Sequence, residues 1–226
     1  MNAKQLAAEA AVEYVQEGMK VGLGTGSTAY WAIRKLGERV AEGLNITAVA
    51  TSRASEQQAR ELGIPLVSFG EIDRLDVTID GADELDGDLQ LIKGGGGALL
   101  REKIVAKGSD RMIVIADETK VVRTLGKFPL PVEIVPFAWE WTVADLAKLG
   151  CVPELRRDGA NLYKSDNGNY IADCRFEIIT SAPELALALH SIPGVVEHGL
   201  FLGIADMAIV GKNDGSLEVI SSKTKP

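Results

Sequence analysis

The chain has 226 residues, with 24 Lys and Arg against 32 Asp and Glu, for a formal net charge of −8. Hydrophobic residues make up 46% and charged residues 25%, proportions that exclude disordered, collagen-like and coiled-coil classes. At about 150 residues per domain the length suits roughly one and a half domains, and an acidic chain without a basic cluster argues against nucleic acid and membrane surfaces as partners.

In chain order, Leu6, Ala10 and Tyr14 fall at helical spacing, predicting a helix over residues 3–17 closed by Gly18. This segment carries Glu9 and Glu13 and lacks the basic flank and apolar stretch of a signal peptide. A strand at Lys20 to Leu23 leads through GLGTGST (Gly22 to Thr28) into a helix from Ala29 to about Glu42. A strand at Ile46 to Ala50, a helix at Arg53 to Leu62, and short strands at Leu66–Val67 and Val77 to Ile79 follow. DGADE (Asp80 to Glu84) lies just past the last of these. KGGGGALLREKIVAKG (Lys93 to Gly108) is a glycine run opening a helix, and Arg111 to Ala116 is an apolar strand. Such alternation predicts a Rossmann-like α/β fold, an open, mostly parallel sheet with helices on both faces.

At KFPLPVEIVPF (Lys127 to Phe137) three prolines are expected to break any continuous element and mark a change of module. Beyond it the pattern predicts a helix at Trp141 to Leu149, a hairpin through Ser165 to Phe176, and a helix at Ala182 to Ser191, a small α+β unit. ADMAIVG (Ala205 to Gly211) is a candidate to rejoin the first sheet. The expected division is a larger α/β unit, residues 1–127 and 203–226, with an inserted α+β unit at 128–202. No window approaches 18 consecutive apolar residues, so no transmembrane helix is expected. Cys151 and Cys174 stand outside any CxxC spacing, and with only His190 and His198 besides there is no material for a zinc site. Both histidines are read as structural, and Trp139 and Trp141 as core or interface aromatics.

Three motifs carry chemistry. A glycine loop before a helix offers amides to phosphate, and Ser27 and Thr28 add hydroxyls. Because Ser27 replaces the third glycine of a GxGxxG pattern, and no acidic residue clearly ends a second strand, a small phosphorylated ligand is favoured over a dinucleotide. Asp80 and Asp83 sit at the carboxyl end of a strand, where Gly81 permits a turn that faces both into one crevice; a solvated turn, or Mg²⁺ binding, are the alternatives. Four glycines beside Lys93 give a backbone with exposed amides suited to an oxyanion. Glu102, one turn into the following helix, is a candidate base, against the ordinary reading of a surface glutamate.

VGLGTGSTA, IDGADE, IKGGGGALLREKIV, IADETK and GKFPLPVEIVP, in this order along nearly the whole chain, resemble the ribose-5-phosphate isomerase A family. The resemblance implies an aldose–ketose isomerase, without metal or other cofactor, acting on ribose 5-phosphate and ribulose 5-phosphate in the non-oxidative pentose phosphate pathway; the composition and the two isolated cysteines fit a reducing, cytoplasmic compartment. It places the base, working through a cis-enediolate, at Glu102, and other active-site polar groups at Asp80, Asp83 and Lys93. Substrate contacts fall at Thr25, Gly26, Ser27 and Thr28, at Gly81 and Ala82, at Gly94, Gly95, Gly96 and Gly97, and at Lys120 and Lys4. It also implies a homodimer or homotetramer. The rivals are a non-catalytic sugar-phosphate sensor and an NAD-dependent oxidoreductase.

Overall fold

The computed structural model describes residues 2–221; Met1 and residues 222–226, the outer ends of the larger expected unit, lie outside the described residues. The first half runs α1 (Ala3–Val12), β1 (Lys20–Leu23), α2 (Ala29–Ala41), β2 (Thr47–Ala50), α3 (Arg53–Glu61) and β3 (Leu75–Gly81). It continues through β4 (Glu84–Leu85), β5 (Leu91–Ile92), α4 (Leu99–Lys107) and β6 (Ser109–Asp117). Next come β7 (Leu130–Ile134), α5 (Trp139–Ala147), β8 (Val152–Leu155), β9 (Arg157–Asp158), β10 (Asn161–Leu162) and β11 (Tyr170–Arg175). The chain closes with α6 (Ala182–His190), β12 (Val195–His198), β13 (Leu200–Phe201), β14 (Met207–Gly211) and β15 (Leu217–Ser221).

The main sheet has the order β15-β14-β6-β3-β1-β2, parallel throughout except for the antiparallel edge strand β15. Its inner strands β6, β3 and β14 are buried on both faces, which explains the unbroken apolar run of β6. Ile113 and Ile115 point to one face, among residues of α1, α2 and α3. Met112, Val114 and Ala116 point to the other, where Ala106 of α4 and Phe201 pack. The Rossmann-like expectation therefore holds. The segment expected as a strand at Leu66–Val67 contributes a single parallel bridge, Ala48 to Leu66, outside β2. The chain thus moves outward from β1 to β2 to Leu66 and then returns to β3 on the other side of β1. That reversal opens a crevice at the carboxyl ends of β1 and β3, where ligands of such sheets bind.

A second sheet, order β12-β7-β11-β8, is antiparallel and buries Leu130, Val132, Ile134, Ala172 and Cys174 with Leu146 of α5 and Leu189 of α6. A third, β13-β5-β4, pairs Leu200 with Ile92 and joins the first two. The apolar segment at Ala205 to Gly211 rejoins the main sheet as β14.

Three expectations need correction. The first helix ends at Val12, not near residue 17, because 3₁₀-type bonds from Tyr14 and Val15 tighten its last turn and drop Val15 into the core. The proline-rich segment does not break structure: β7 is an interior, fully buried strand. Pro131 lies near its start and uses only its carbonyl, which accepts from the Gly199 amide at 2.8 Å. Finally, β11 is not one arm of a local hairpin; its partners are β7 and β8, and the turn before it is tied down by Glu133.

Candidate active site

Asp80 is the penultimate residue of β3 and is wholly buried. Its Oδ1 accepts the amides of Thr25 at 3.1 Å and Gly81 at 2.7 Å, locking the first glycine loop onto β3. Gly24 makes this fit possible, since a Cβ there would lie 2.6 Å from the Asp80 Cα. Lys93 follows β5, its amide bonded to the Gly199 carbonyl at 2.9 Å. Its ammonium lies 3.0 Å from Asp80 Oδ2 and 3.4 Å from Glu102 Oε2, and donates to the Gly81 carbonyl at 2.6 Å. Glu102, in the first turn of α4, is only 3% exposed and Lys93 only 2%, so the surface-glutamate reading fails.

One ammonium here faces two buried carboxylates, with Asp83 close by. Burial weighs against the Lys93 charge, but Asp80 and Glu102 outweigh it and raise its pKa. Burial pushes Asp80 upward against the pull of Lys93 and the two amides. Glu102 is pushed up to about 8, by burial first and by the Asp80 charge next. The cluster consequently holds a proton near neutrality and gives it up in the range useful for acid–base work.

Lys93, Asp83 and Glu102 border a cavity of about 230 Å³, smaller than the roughly 300 Å³ at which pockets for drug-sized ligands begin. Lys4, Thr25, Gly26, Ser27, Thr28, Gly81, Ala82, Asp83, Lys93, Gly94, Gly95, Gly96, Glu102 and Lys120 line it. Asp80 lies beneath this lining, and Gly97 lies outside it against Tyr163. The remaining rim is the N-terminus of α2, where Thr28 makes no side-chain cap and the Tyr30 and Trp31 amides donate to the Gly26 and Thr28 carbonyls at 2.9 and 3.1 Å, so that an anion would meet the loop just before the helix. Lys4 reaches this loop from α1, donating to Ser27 Oγ at 2.9 Å, and Lys120 faces it from the turn after β6.

The glycine run is partly engaged within the chain. The Gly95 amide donates to Asp83 Oδ2 at 2.7 Å and the Gly97 amide to the Gly94 carbonyl at 2.9 Å, leaving Gly94 and Gly96 to face a ligand. Thr25 likewise turns its hydroxyl inward, 2.7 Å from Thr51 and 2.8 Å from Ser52. Those hydroxyls, and Ser55 beside them, carry no distinguishing pattern in the sequence; only the fold brings them under the loop.

Among the described residues, His190, Glu197 and His198 are grouped closely enough to suggest metal ligands. The donor set does not suit an ion. His198 Nδ1 accepts the Leu200 amide at 3.2 Å, which leaves the proton on Nε2. The Lys103 ammonium already sits on Glu197 Oε1 at 2.7 Å. Burial drives the His198 pKa down to about 3, and Lys103 and His190 add to the effect.

Fold and site together define an α/β enzyme class in which a glycine loop and the helix it opens border one cavity with a buried cluster of an ammonium and carboxylates. The family model described as ribose 5-phosphate isomerase A (phosphoriboisomerase A) matches residues 47–215. The ribose-5-phosphate isomerase A of Bacillus mycoides is 54% identical over 219 residues, covering 96% of this chain and 99% of the relative. A solved ribose 5-phosphate isomerase A from Neisseria gonorrhoeae superposes with a TM-score of 0.90 at 43% identity, covering 97% of this chain and 96% of the other. A D-ribose-5-phosphate isomerase in complex with phospho-erythronic acid gives 0.93 at 39% identity, over 98% and 100% of the two chains. The chain belongs to the ribose 5-phosphate isomerase A family.

Proposed function

We propose that the chain interconverts D-ribose 5-phosphate and D-ribulose 5-phosphate, with the phosphate at the α2 N-terminus and C1 and C2 over Glu102. The observation that carries this reading is the Lys93 ammonium held between buried Asp80 and Glu102 at the end of a cavity opposite a helix terminus. Ionised Glu102 takes the proton from C2 of the open-chain aldose and returns it to C1, while the hydroxyl proton moves from O2 to O1. Lys93 and the Gly94 and Gly96 amides stabilise the negative charge of the intervening cis-enediolate. Asp80 and Asp83 serve ring opening and proton traffic at O1 and O2. Lys4, Lys120, Ser27, Thr28 and the amides of that loop hold the phosphate.

Purified protein with ribose 5-phosphate and EDTA is expected to form ribulose 5-phosphate, measured as ketopentose. Folded protein without turnover would leave the sensor reading. The base must be ionised and its pKa is raised, so kcat/KM should climb between about pH 6 and about pH 9 with an apparent midpoint near 8; a flat profile refutes proton retention by this cluster. Lys120→Ala should raise KM roughly tenfold with little change in kcat, the scale of a lost hydrogen bond between charged groups; an unchanged KM removes Lys120 from the phosphate site.

The cytoplasmic location rests on composition and on two cysteines outside any CxxC spacing, and the homodimer or homotetramer on the family resemblance. Among the described residues no helix is long and apolar enough to cross a membrane. Phe137 and Trp141, 88% and 79% exposed, provide apolar surface of the kind that subunit contacts cover. The division at 127/128 and 202/203 is likewise our reading; separate cores around the main sheet and around β7 and β11 support it.

A further inference from the structure

Arg156 lies between β8 and β9, remote in sequence from the glycine run, yet its Nη1 donates to the carbonyls of Gly94 at 3.0 Å and Gly95 at 3.1 Å. Its Nε and Nη2 form a fork on Asp173 of β11, at 2.9 and 2.6 Å. The side chain is 16% exposed. An ion pair serving only the second sheet would end at Asp173; here the remaining nitrogen crosses to the backbone of the cleft.

The direction of those bonds matters because the C=O and N–H of a trans peptide point opposite ways. Drawing the Gly94 and Gly95 carbonyls toward Arg156 turns the Gly95 and Gly96 amides away from it. The first of these amides meets Asp83 Oδ2 at 2.7 Å, and the second belongs to a residue lining the cavity. A run of four glycines has the widest choice of backbone conformations, so these peptide planes need a restraint from outside. We propose that Arg156 is a positioning residue for the glycine run, holding the Gly96 amide toward the oxyanion of the enediolate and the Gly95 amide on Asp83, with Asp173 fixing the guanidinium. A lysine cannot replace it, since a point charge lacks the planar fork that engages Asp173 and the carbonyls together.

This inference rests on the isomerase reading, and its test separates the two. Arg156→Met, Arg156→Lys and Asp173→Asn are assayed for kcat, KM, melting temperature, and inhibition by phospho-erythronic acid and by inorganic phosphate. We expect Arg156→Met to lower kcat by roughly 10- to 100-fold, the range for groups that orient a site's direct contacts. KM and phosphate inhibition should stay within about threefold, while inhibition by phospho-erythronic acid, whose carboxylate would on this reading meet the glycine run as the enediolate oxyanion does, should weaken with kcat. Arg156→Lys should recover only part of the loss. Asp173→Asn should move the same way, and its combination with Arg156→Met should add little, as for residues acting in series. Wild-type kcat and phospho-erythronic acid inhibition in Arg156→Met overturn the proposal. So does a loss shared equally by phosphate binding and melting temperature in all three variants. An inactive wild-type protein instead overturns the isomerase reading.

Discussion

Glu102→Gln should lower kcat by about 10²- to 10⁴-fold, the usual contribution of a general base, with a modest change in KM. The amide keeps the shape of the carboxyl and its place beside Lys93 but cannot accept the C2 proton. The same variant should be more stable than the parent, and the sign follows from the raised pKa. Unfolded Glu102 ionises near its ordinary value of 4.5, while the folded group retains its proton to about 8. Stability from this group is therefore fully present below about pH 4.5 and is lost as pH rises toward 8. Glutamine carries no such liability, so the gap in melting temperature between variant and parent should widen over that interval and then level. Retained kcat would move the base elsewhere, with Asp80 the next candidate; a gap independent of pH would mean that Glu102 is not the buried proton holder.

Lys93→Met should be the most damaging single change to the cleft. It leaves Asp80 and Glu102 buried without their shared cation, and removing one member of a buried charge cluster costs about 3–5 kcal/mol. For a chain of this size that is roughly 6–20 °C in melting temperature. Without Lys93 both carboxylates rise further in pKa and take up protons, so the destabilisation should shrink as pH falls. Turnover should drop by about 10²–10³-fold at any pH through loss of the charge that meets the oxyanion. A variant as stable as the parent at about pH 9 would show that the ammonium does not neutralise this cluster.

The main sheet was legible because parallel strands buried on both faces write themselves as apolar runs, as in RMIVIA of β6. Glycine loops were legible for the opposite reason, since glycine at such density serves backbone approach. What stayed hidden lies in long-range pairing. β4, β5 and β13 are two residues each, too short for a period, yet they seat Lys93. β7 reads as a break because prolines weigh against a strand until their carbonyls find partners. α4 turns Glu102 and Lys103 inward and leaves Ile104 exposed, so its pattern misleads about which face is buried. Arg156 and Asp173 sit among ordinary surface charges in the sequence and acquire meaning only through the fold.

The packing of α1 bears on how the protein is made. This helix rests on β6 and β14 as well as α2, and so closely that a Cβ at Gly211 would lie 2.0 Å from the Ala3 carbonyl oxygen. Translation proceeds at about 5–20 residues per second, so Lys4 leaves the ribosome well before its seat is completed by β14, which follows the whole 128–202 segment. A nascent chain halted before β14 holds every proposed substrate contact from Lys4 to Lys120, but its leading helix has only part of its support. Completion of the Lys4 side of the cleft thus waits on the pairing of β14, a strand made long after α1.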